Sequence, residues 1–194
     1  AIIIVASSGF YSAQDPRVLQ LDAPNTRTET NLKGSQFEFK RIVRHDVSPV
    51  ESQGRTGTCW SFSALSFLES EIMRTTGREK PIILSEMFIV RKAYEAKAKK
   101  YIRMDGRTNF GEGGAFHDIP YVIKNHGIVP QSEYTGLAKK GDRYNHGDMF
   151  DQLNEIVTVA KKEGDGIQKS WLDAYSKVLD ENIGVVPESF KFEG

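Results

Sequence analysis

The segment Gln53-Gly54-Arg55-Thr56-Gly57-Thr58-Cys59-Trp60-Ser61-Phe62-Ser63 places the only cysteine of this 194-residue chain at the mouth of an apolar helix. Thr58 is a favourable N-cap residue, so we expect Cys59 at the first helical position. Unpaired N–H groups and the positive end of the helix macrodipole favour the thiolate there, and the thiolate is the reactive form of cysteine. The segment therefore predicts a nucleophilic thiol, whereas the common alternative is a buried cysteine in a core helix.

The residues before the cysteine predict a site for acyl transfer. Gly54 and Gly57 allow the backbone to turn tightly and to approach a substrate closely. Gln53 stands six residues before Cys59. Its side-chain amide can lie beside the Cys59 backbone N–H, and two such donors form an oxyanion hole for a tetrahedral intermediate. We therefore predict catalytic roles for Cys59 and Gln53.

At these residues the sequence resembles a known family. The pattern Gln-Gly-x-x-Gly-x-Cys-Trp-Ser-Phe-Ser in residues 53–63 is similar to the active-site segment of papain-like cysteine peptidases. Thr56 stands where the resemblance would place a disulfide-forming cysteine, and the chain has no second cysteine. Residues 48–60 are more similar to the bacterial bleomycin-hydrolase or aminopeptidase C branch, which lacks that bridge and carries helical insertions. The resemblance covers residues 37–194.

The resemblance implies an α+β papain-like fold, represented here mainly by its helical N-terminal half. A broad apolar face ending near Gly77 predicts the central nucleophile helix. Leu84-Ser85-Glu86 resembles a family segment in which the serine caps a second helix, here ending near Tyr101, and a third helix is expected to stop at Gly127. Residues 137–184 are expected to form a helical insertion with a turn at 164–166. The apolar face comprises Phe62, Leu65, Phe67, Leu68, Ile72 and Met73.

Two other stretches predict strands. Apolar and polar residues alternate in residues 33–44, which suggests an edge strand, and residues 185–192 have the character of a short strand. Residues 128–134 resemble the strand entry of the family. Residues 142–146 are interpreted as a polar loop.

The segment Gly111-Glu112-Gly113-Gly114-Ala115-Phe116 is similar to the Gly-Gly turn along which papain-like enzymes lay an extended peptide. Residues without Cβ expose backbone N–H and C=O groups, with which a peptide can pair as an added strand. Phe116 or Ala115 is expected to line the pocket for the second substrate side chain. The residues predicted to bind substrate are Gly57, Trp60, Gly113, Gly114 and Phe116.

The resemblance also implies a general base that we do not find. A histidine oriented by an asparagine is expected about 130 to 150 residues after the cysteine. That window opens near residue 189, and the helical insertions of the branch would move the histidine beyond the last residue, Gly194. The four histidines, His45, His117, His126 and His146, are poorly placed for this role, with His117 the best of them. We therefore expect the chain to be a fragment without the catalytic histidine and asparagine, and inactive by itself.

Composition excludes several other classes. The chain has 26 basic and 26 acidic residues, so a net charge of zero gives no strong attraction to nucleic acid or anionic lipid. Neither a metal-ligand spacing nor a phosphate-binding loop is found, so we predict no metal and no cofactor. The lysines of residues 92–100 are interpreted as a solvated face. Homo-oligomerisation through the insertion helices, as in hexameric related enzymes, is an alternative to core packing.

The first residues are similar to the end of a secretory signal peptide, with an apolar run followed by small residues. The run is far shorter than the ~20 residues of a membrane span. We predict a signal-peptide remnant in residues 1–13, an arm in 14–48 and the N-terminal half of a catalytic domain in 49–194. The protein would then be exported, periplasmic or secreted; if residues 1–13 are instead a buried strand, it is cytoplasmic.

Taken together, these features predict a cysteine peptidase that cleaves peptide substrates through a thioester on Cys59, and the resemblance implies an aminopeptidase. Two alternatives stay open. One is a non-catalytic interaction or inhibitory module of the same fold, and the other is a transpeptidase that uses the same thioester. A downstream histidine and an Asn-Ser-Trp segment would favour an enzyme, and acceptor assays would separate hydrolysis from transfer.

Overall fold

The computed structural model describes residues 33–40, 42–138, 143–164 and 170–192. The described residues form five helices joined by loops. The predicted signal-peptide remnant and the arm before residue 33 lie outside them. The helices are α1 (Cys59–Thr76), α2 (Glu86–Arg103), α3 (Asp118–His126), α4 (Gly147–Lys162) and α5 (Ser170–Ile183).

The strands predicted at 33–44 and 185–192 are wrong for the described residues, which form no strand there. Phe37 and Ile42 are 69% and 90% exposed. A strand is stable only against a neighbouring strand, and an alternating pattern in one segment does not supply that neighbour. The β structure of the described residues consists of two isolated bridges, Arg55 with Asn145 and Leu84 with Pro130.

The start of α1 agrees with the prediction in position but not in mechanism. Thr58 is the N-cap residue and Cys59 is the first helical residue, as expected. The Thr58 side chain accepts no capping hydrogen bond and is instead paired with the Thr56 hydroxyl. At the other end, Gly77 has a φ of 68° and its N–H donates to the Met73 carbonyl, which matches the predicted end of the helix.

The predicted cap of α2 is confirmed. The Ser85 hydroxyl oxygen accepts a hydrogen bond from the Phe88 N–H at 3.1 Å and donates to the Tyr134 carbonyl at 2.6 Å. The helix runs two residues beyond the expected Tyr101. α3 ends at Gly127 as predicted, with a φ of 79° that favours glycine.

The core beside the cysteine is built from α1, α2 and α3. Leu65 of α1, Ile89 of α2 and Val122 of α3 are all completely buried. The predicted apolar face of α1 is correct for Leu65 and Met73, but Phe67 is 53% exposed. The Phe67 ring lies edge-on against the ring of Phe116, with centroids 6.2 Å apart. These two aromatic rings form an apolar surface outside the core.

The helical pair α4 and α5 matches the predicted spacing of the insertion. The two helices pack on each other and both contact α2. Arg91 of α2 donates to the Asp180 carboxylate and to the Gly184 carbonyl, each at 2.7 Å, and so joins α2 to the end of α5. Of the predicted turn at 164–166, only Gly164 is described. The buried stripe comprises Met149, Leu153, Val157, Ala160, Trp171, Tyr175, Leu179 and Ile183.

Among the helices described, none combines the length and the apolar character that crossing a membrane requires.

Candidate active site

Cys59 lies exposed at the first position of α1. The helix begins with the Thr58 carbonyl, which accepts the Ser61 N–H at 2.9 Å and the Phe62 N–H at 3.3 Å. The Cys59 N–H belongs to the first turn, where a helix offers no acceptor of its own. The first turn also carries no acidic side chain. A thiol and a backbone donor are therefore placed together at the accessible mouth of the helix.

Gln53 is part of a closed loop immediately before that helix. Its Nε2 donates to the Thr56 carbonyl at 2.6 Å, and the Thr56 hydroxyl donates to the Gln53 carbonyl at 2.8 Å. A primary amide carries two N–H groups, so one remains after the bond to Thr56. The structure places Gln53 in the loop that leads to Cys59, and the oxyanion role of its second N–H stays a prediction.

Gly54 serves a contact within the protein that the sequence did not indicate. Its φ is 60°, and a Cβ at this position would lie 2.3 Å from the Tyr144 carbonyl oxygen. The neighbouring Arg55 donates its N–H to Tyr144 at 2.8 Å and accepts the His146 N–H at 3.2 Å. Gly54 is therefore needed for the approach of residues 144–146. This contact gives Gly54 a reason within the protein, and its predicted close approach to a substrate stays a prediction.

Gly57 also lies against another segment of the protein. Its N–H donates to Oε2 of Glu112 at 2.6 Å, and a Cβ on Gly57 would lie 2.8 Å from the Glu112 Cβ. The main-chain carbonyl of Glu112 accepts the Trp60 indole N–H at 3.1 Å. Glu112 thus contacts the chain on both sides of Cys59. The sequence showed this residue only as one member of a glycine-rich turn, and its single carboxylate among glycines was the available signal.

The Trp60 indole packs against the glycine turn at Gly114. It is 7% exposed, and a Cβ on Gly114 would lie 2.5 Å from its indole ring. Lys97 of α2 places its Nζ 5.1 Å from the centre of that ring and donates to the Gly113 carbonyl. Burial lowers the pKa of Lys97, and the Asp118 carboxylate opposes this shift. The prediction that residues 92–100 form a solvated face is therefore wrong for Lys97.

The glycine turn exposes backbone groups that the described part of the protein does not use. The Ala115 N–H donates to the Asp118 carboxylate, and the Asp118 N–H donates to the Ala115 carbonyl, each at 2.9 Å. The Gly113 carbonyl is used by Lys97. Among the described residues, no hydrogen bond engages the N–H or the C=O of the exposed Gly114. Phe116, 55% exposed, stands at the end of the turn.

None of the four histidines is hydrogen-bonded to Cys59 within the described part of the chain. His45 is exposed and lies in the loop before α1. His117 is 82% exposed and lies 3.7 Å from the Asp118 carboxylate. His126 is the last residue of α3. His146 is 1% exposed, and burial lowers its pKa to about 4.

The site residues contain no evident metal centre. Within the described ranges, no group of three or more His, Cys, Asp or Glu side chains is arranged to hold a metal ion. The groups present at the helix mouth are the Cys59 thiol, the N–H groups of the first turn of α1 and the exposed backbone of Gly114.

A sequence profile described as "Papain family cysteine protease" matches residues 35–182. The chain belongs to the papain family of cysteine proteases. The papain-family relatives include cathepsin J of Rattus norvegicus, 26% identical over 118 residues that cover 60% of this chain and 32% of cathepsin J. Oryzain beta chain of Oryza sativa subsp. japonica is 34% identical over 96 residues, covering 49% of this chain and 18% of oryzain.

A solved structure has the same fold. The crystal structure of PepW from Lactobacillus rhamnosis HN001 aligns with a TM-score of 0.54 and 20% identity, over 75% of this chain and 38% of PepW. The papain-like α+β fold is thereby confirmed, and the five described helices are consistent with its helical half. The chain spans about a third of the length of cathepsin J.

Proposed function

We propose that this papain-family chain carries the nucleophile of a peptidase in the bleomycin-hydrolase or aminopeptidase C branch, which removes N-terminal residues from peptides. The observation that carries the proposal is the exposed Cys59 at the first position of α1, beside a glycine turn that holds an open Gly114. The resemblance of residues 48–60 to that branch supports the finer assignment.

The proposed reaction begins with attack of the Cys59 thiolate on the carbonyl carbon of the scissile bond. The carbonyl electron pair moves onto oxygen, and the Cys59 N–H and the second N–H of Gln53 donate to this oxyanion. Its collapse breaks the C–N bond and releases the amine, which takes up a proton. Water then hydrolyses the thioester and frees the thiol.

The peptide is placed by the glycine turn in this proposal. An extended substrate accepts the Gly114 N–H and donates its own N–H to the Gly114 carbonyl, as an added strand does. Gly114 rests on Trp60, which directly follows Cys59 in the chain. This arrangement gives the substrate a fixed register relative to the nucleophile. The exposed Phe116 is proposed to contact the second substrate side chain.

The base that moves the proton is proposed to lie outside this chain. The match to relatives about three times as long supports this proposal, as does the lack of a histidine bonded to Cys59 among the described residues. Export and assembly into a homo-oligomer stay predictions that rest on residues 1–13 and on the resemblance.

The test uses the protein expressed from its whole coding sequence and two fluorogenic substrates, one with a free N-terminal amine and one acetylated. We expect hydrolysis of the free form, loss of hydrolysis in Cys59→Ala and a clear preference over the acetylated form. The matched control is Ser63→Ala, an exposed residue one turn further along α1. The 194-residue chain alone is expected to turn over neither substrate if the base lies outside it, as proposed.

Three results would count against the proposal in different ways. Full activity in Cys59→Ala would remove the nucleophile assignment. Equal cleavage of the free and the acetylated substrate would keep the peptidase but remove the aminopeptidase. Transfer to an added amine in place of hydrolysis would identify a transpeptidase.

A further inference from the structure

Two segments of the site that are distant in sequence are joined through one residue, by its side chain and by its main-chain carbonyl. The Glu112 carboxylate accepts the Gly57 N–H at 2.6 Å, and the Glu112 carbonyl accepts the Trp60 indole N–H at 3.1 Å. Gly57 lies two residues before Cys59, and Glu112 lies two residues before Gly114. One residue therefore fixes the distance between the nucleophile and the backbone proposed to hold the substrate.

We infer that Glu112 is a positioning residue for catalysis, which holds the loop before Cys59 against the glycine turn. This inference rests on the proposed peptidase function. Glu112 touches neither the thiol nor a reacting atom in this assignment. It acts through Gly57 on one side and through Gly114 on the other.

The bond between the Gly57 N–H and the Glu112 carboxylate is of a strong type. A hydrogen bond to an ionised carboxylate is short and roughly twice as strong as a neutral one. The 2.6 Å between the Gly57 nitrogen and Oε2 of Glu112 is shorter than most N–H···O bonds. Glu112 is only partly exposed, so water competes less for the carboxylate than at an open surface. The bond therefore restrains the backbone of residue 57 more firmly than a neutral side chain would.

The surrounding glycines leave the room that this contact needs. A Cβ on Gly57 would lie 2.8 Å from the Glu112 Cβ, and a Cβ on Gly114 would lie 2.5 Å from the Trp60 indole. Distances below 3.0 Å require the neighbouring atoms to move. Either side chain would therefore separate the two segments. The lack of a side chain at Gly57 and at Gly114 therefore allows the close approach in which Glu112 binds Gly57 and Trp60.

Lys97 also holds the glycine turn against α1. Lys97 donates to the Gly113 carbonyl while its Nζ stands over the Trp60 ring at 5.1 Å. Lys97 thus holds the turn toward the indole, and Glu112 holds it toward the loop. Removal of the Glu112 side chain should therefore release Gly57 from the glycine turn. The bond from Lys97 to the Gly113 carbonyl and the bond from Trp60 to the carbonyl of residue 112 should keep the turn in place.

The expected consequence is geometric. A substrate strand paired with Gly114 presents its carbonyl to Cys59 only while the two segments keep their spacing. A misplacement of about 1 Å can cost about 10²-fold in rate. Removal of the Glu112 side chain should thus lower kcat more than it changes KM. The isosteric glutamine retains an oxygen that can accept the Gly57 N–H and should preserve most of kcat.

The first measurement does not depend on peptidase activity. Amide hydrogen exchange of Gly57 is followed by NMR in the 194-residue chain and in the Glu112→Ala and Glu112→Gln variants. We expect the exchange rate of Gly57 to rise by about tenfold or more in Glu112→Ala, since a hydrogen bond to a charged acceptor is lost. Glu112→Gln should stay much closer to the parent. The control, Glu155→Ala, removes an exposed glutamate of α4 and should change nothing at Gly57.

The second measurement uses the enzyme from the whole coding sequence. We expect kcat to fall by about 10²-fold in Glu112→Ala with KM changed little, and to be largely restored in Glu112→Gln. Unchanged kcat in Glu112→Ala would overturn the inference. A change in KM alone would overturn it too, because Glu112 would then be a substrate contact. If the parent enzyme cleaves neither substrate while the amide exchange rate of Gly57 rises as expected in Glu112→Ala, the proposed function is wrong. The contact of Glu112 with Gly57 is then still supported.

Discussion

The nucleophile region, residues 53–60 with 111–116, and the helical pair α4 and α5 are held together by different forces. In the nucleophile region the contacts between distant segments are hydrogen bonds to glycine, glutamate and indole groups, such as Gly57 to Glu112. In the helical pair they are apolar, with Met149, Leu153 and Leu179 completely buried. The first kind of contact fixes distances, and the second mainly removes apolar surface from water.

The difference teaches where stability and chemistry reside in this molecule. An apolar stripe tolerates small shifts, because burial is non-directional. A hydrogen bond weakens steeply with distance and angle, so a region built from such bonds has one working geometry. We therefore expect substitutions in the helical pair to cost stability, and substitutions in the nucleophile region to cost rate.

The largest effect is expected from Leu179→Ala in α5. Leu179 is completely buried, and a leucine-to-alanine change in a core lowers the free energy of unfolding by about 2–5 kcal/mol. Urea unfolding followed by circular dichroism measures this loss. The control is Val159→Ala in α4, because Val159 is 44% exposed. Its free energy of unfolding should stay within about 0.5 kcal/mol of that of the parent. Equal losses in both variants would mean that the helical pair does not depend on its buried stripe.

Gln53→Ala should have the opposite profile. In the complete enzyme we expect kcat to fall by about 10²- to 10³-fold with little change in KM, since the lost bond forms only to the oxyanion. Gln53→Glu should be at least as harmful, because a carboxylate repels the developing negative charge. Gln152→Ala, on the exposed side of α4, is the matched control. Full kcat in Gln53→Ala would leave the oxyanion role without support.

His146 lies where the two regions meet and should make stability depend on pH. Its pKa of about 4 in the folded protein lies below the ordinary value of about 6.5, so the unfolded chain binds the proton more tightly. Stability is therefore complete above about pH 6.5 and is lost as pH falls through the window toward 4, by about 2 kcal/mol at pH 5. Urea unfolding at several pH values measures this slope.

The variant His146→Phe should flatten that slope, whatever its effect on stability at pH 7. The His146 ring contacts Tyr94, which is completely buried and whose hydroxyl lies 3.4 Å from Nδ1 of His146. His126→Phe, at the exposed end of α3, is the control and should keep the slope of the parent. An unchanged slope in His146→Phe would show that other groups cause the acid sensitivity.

Sequence reasoning recovers the features that depend on local periodicity and local capping. The apolar stripe predicts α4 and α5 because core contacts recur every third or fourth residue. The cap at Ser85 and the end of α1 at Gly77 are correct because each depends on residues within one turn. The position of Cys59 at the start of α1 belongs to the same class.

The misses are contacts between segments that no local pattern connects. Lys97 has the spacing of a solvated face but reaches the glycine turn, and Phe67 lies on an apolar face that no described helix covers. The sequence shows Glu112 only as one residue of a glycine-rich turn, and its contact with Gly57 is visible only in the fold. The strand expected at 185–192 fails for the same reason, because a strand needs a partner that its own residues do not specify.

The bonds of Arg55 to Tyr144 and His146 have a consequence for the order of folding. They join residues about 90 positions apart, so the chain must first close a long loop, and such contacts form later than the turns of α1 and α2. We expect the segment before Cys59 to reach its final shape only after residues 144–146 have docked. During synthesis on the ribosome, the thiol would thus emerge well before its surroundings are complete, and a nascent chain would carry a cysteine without a working site.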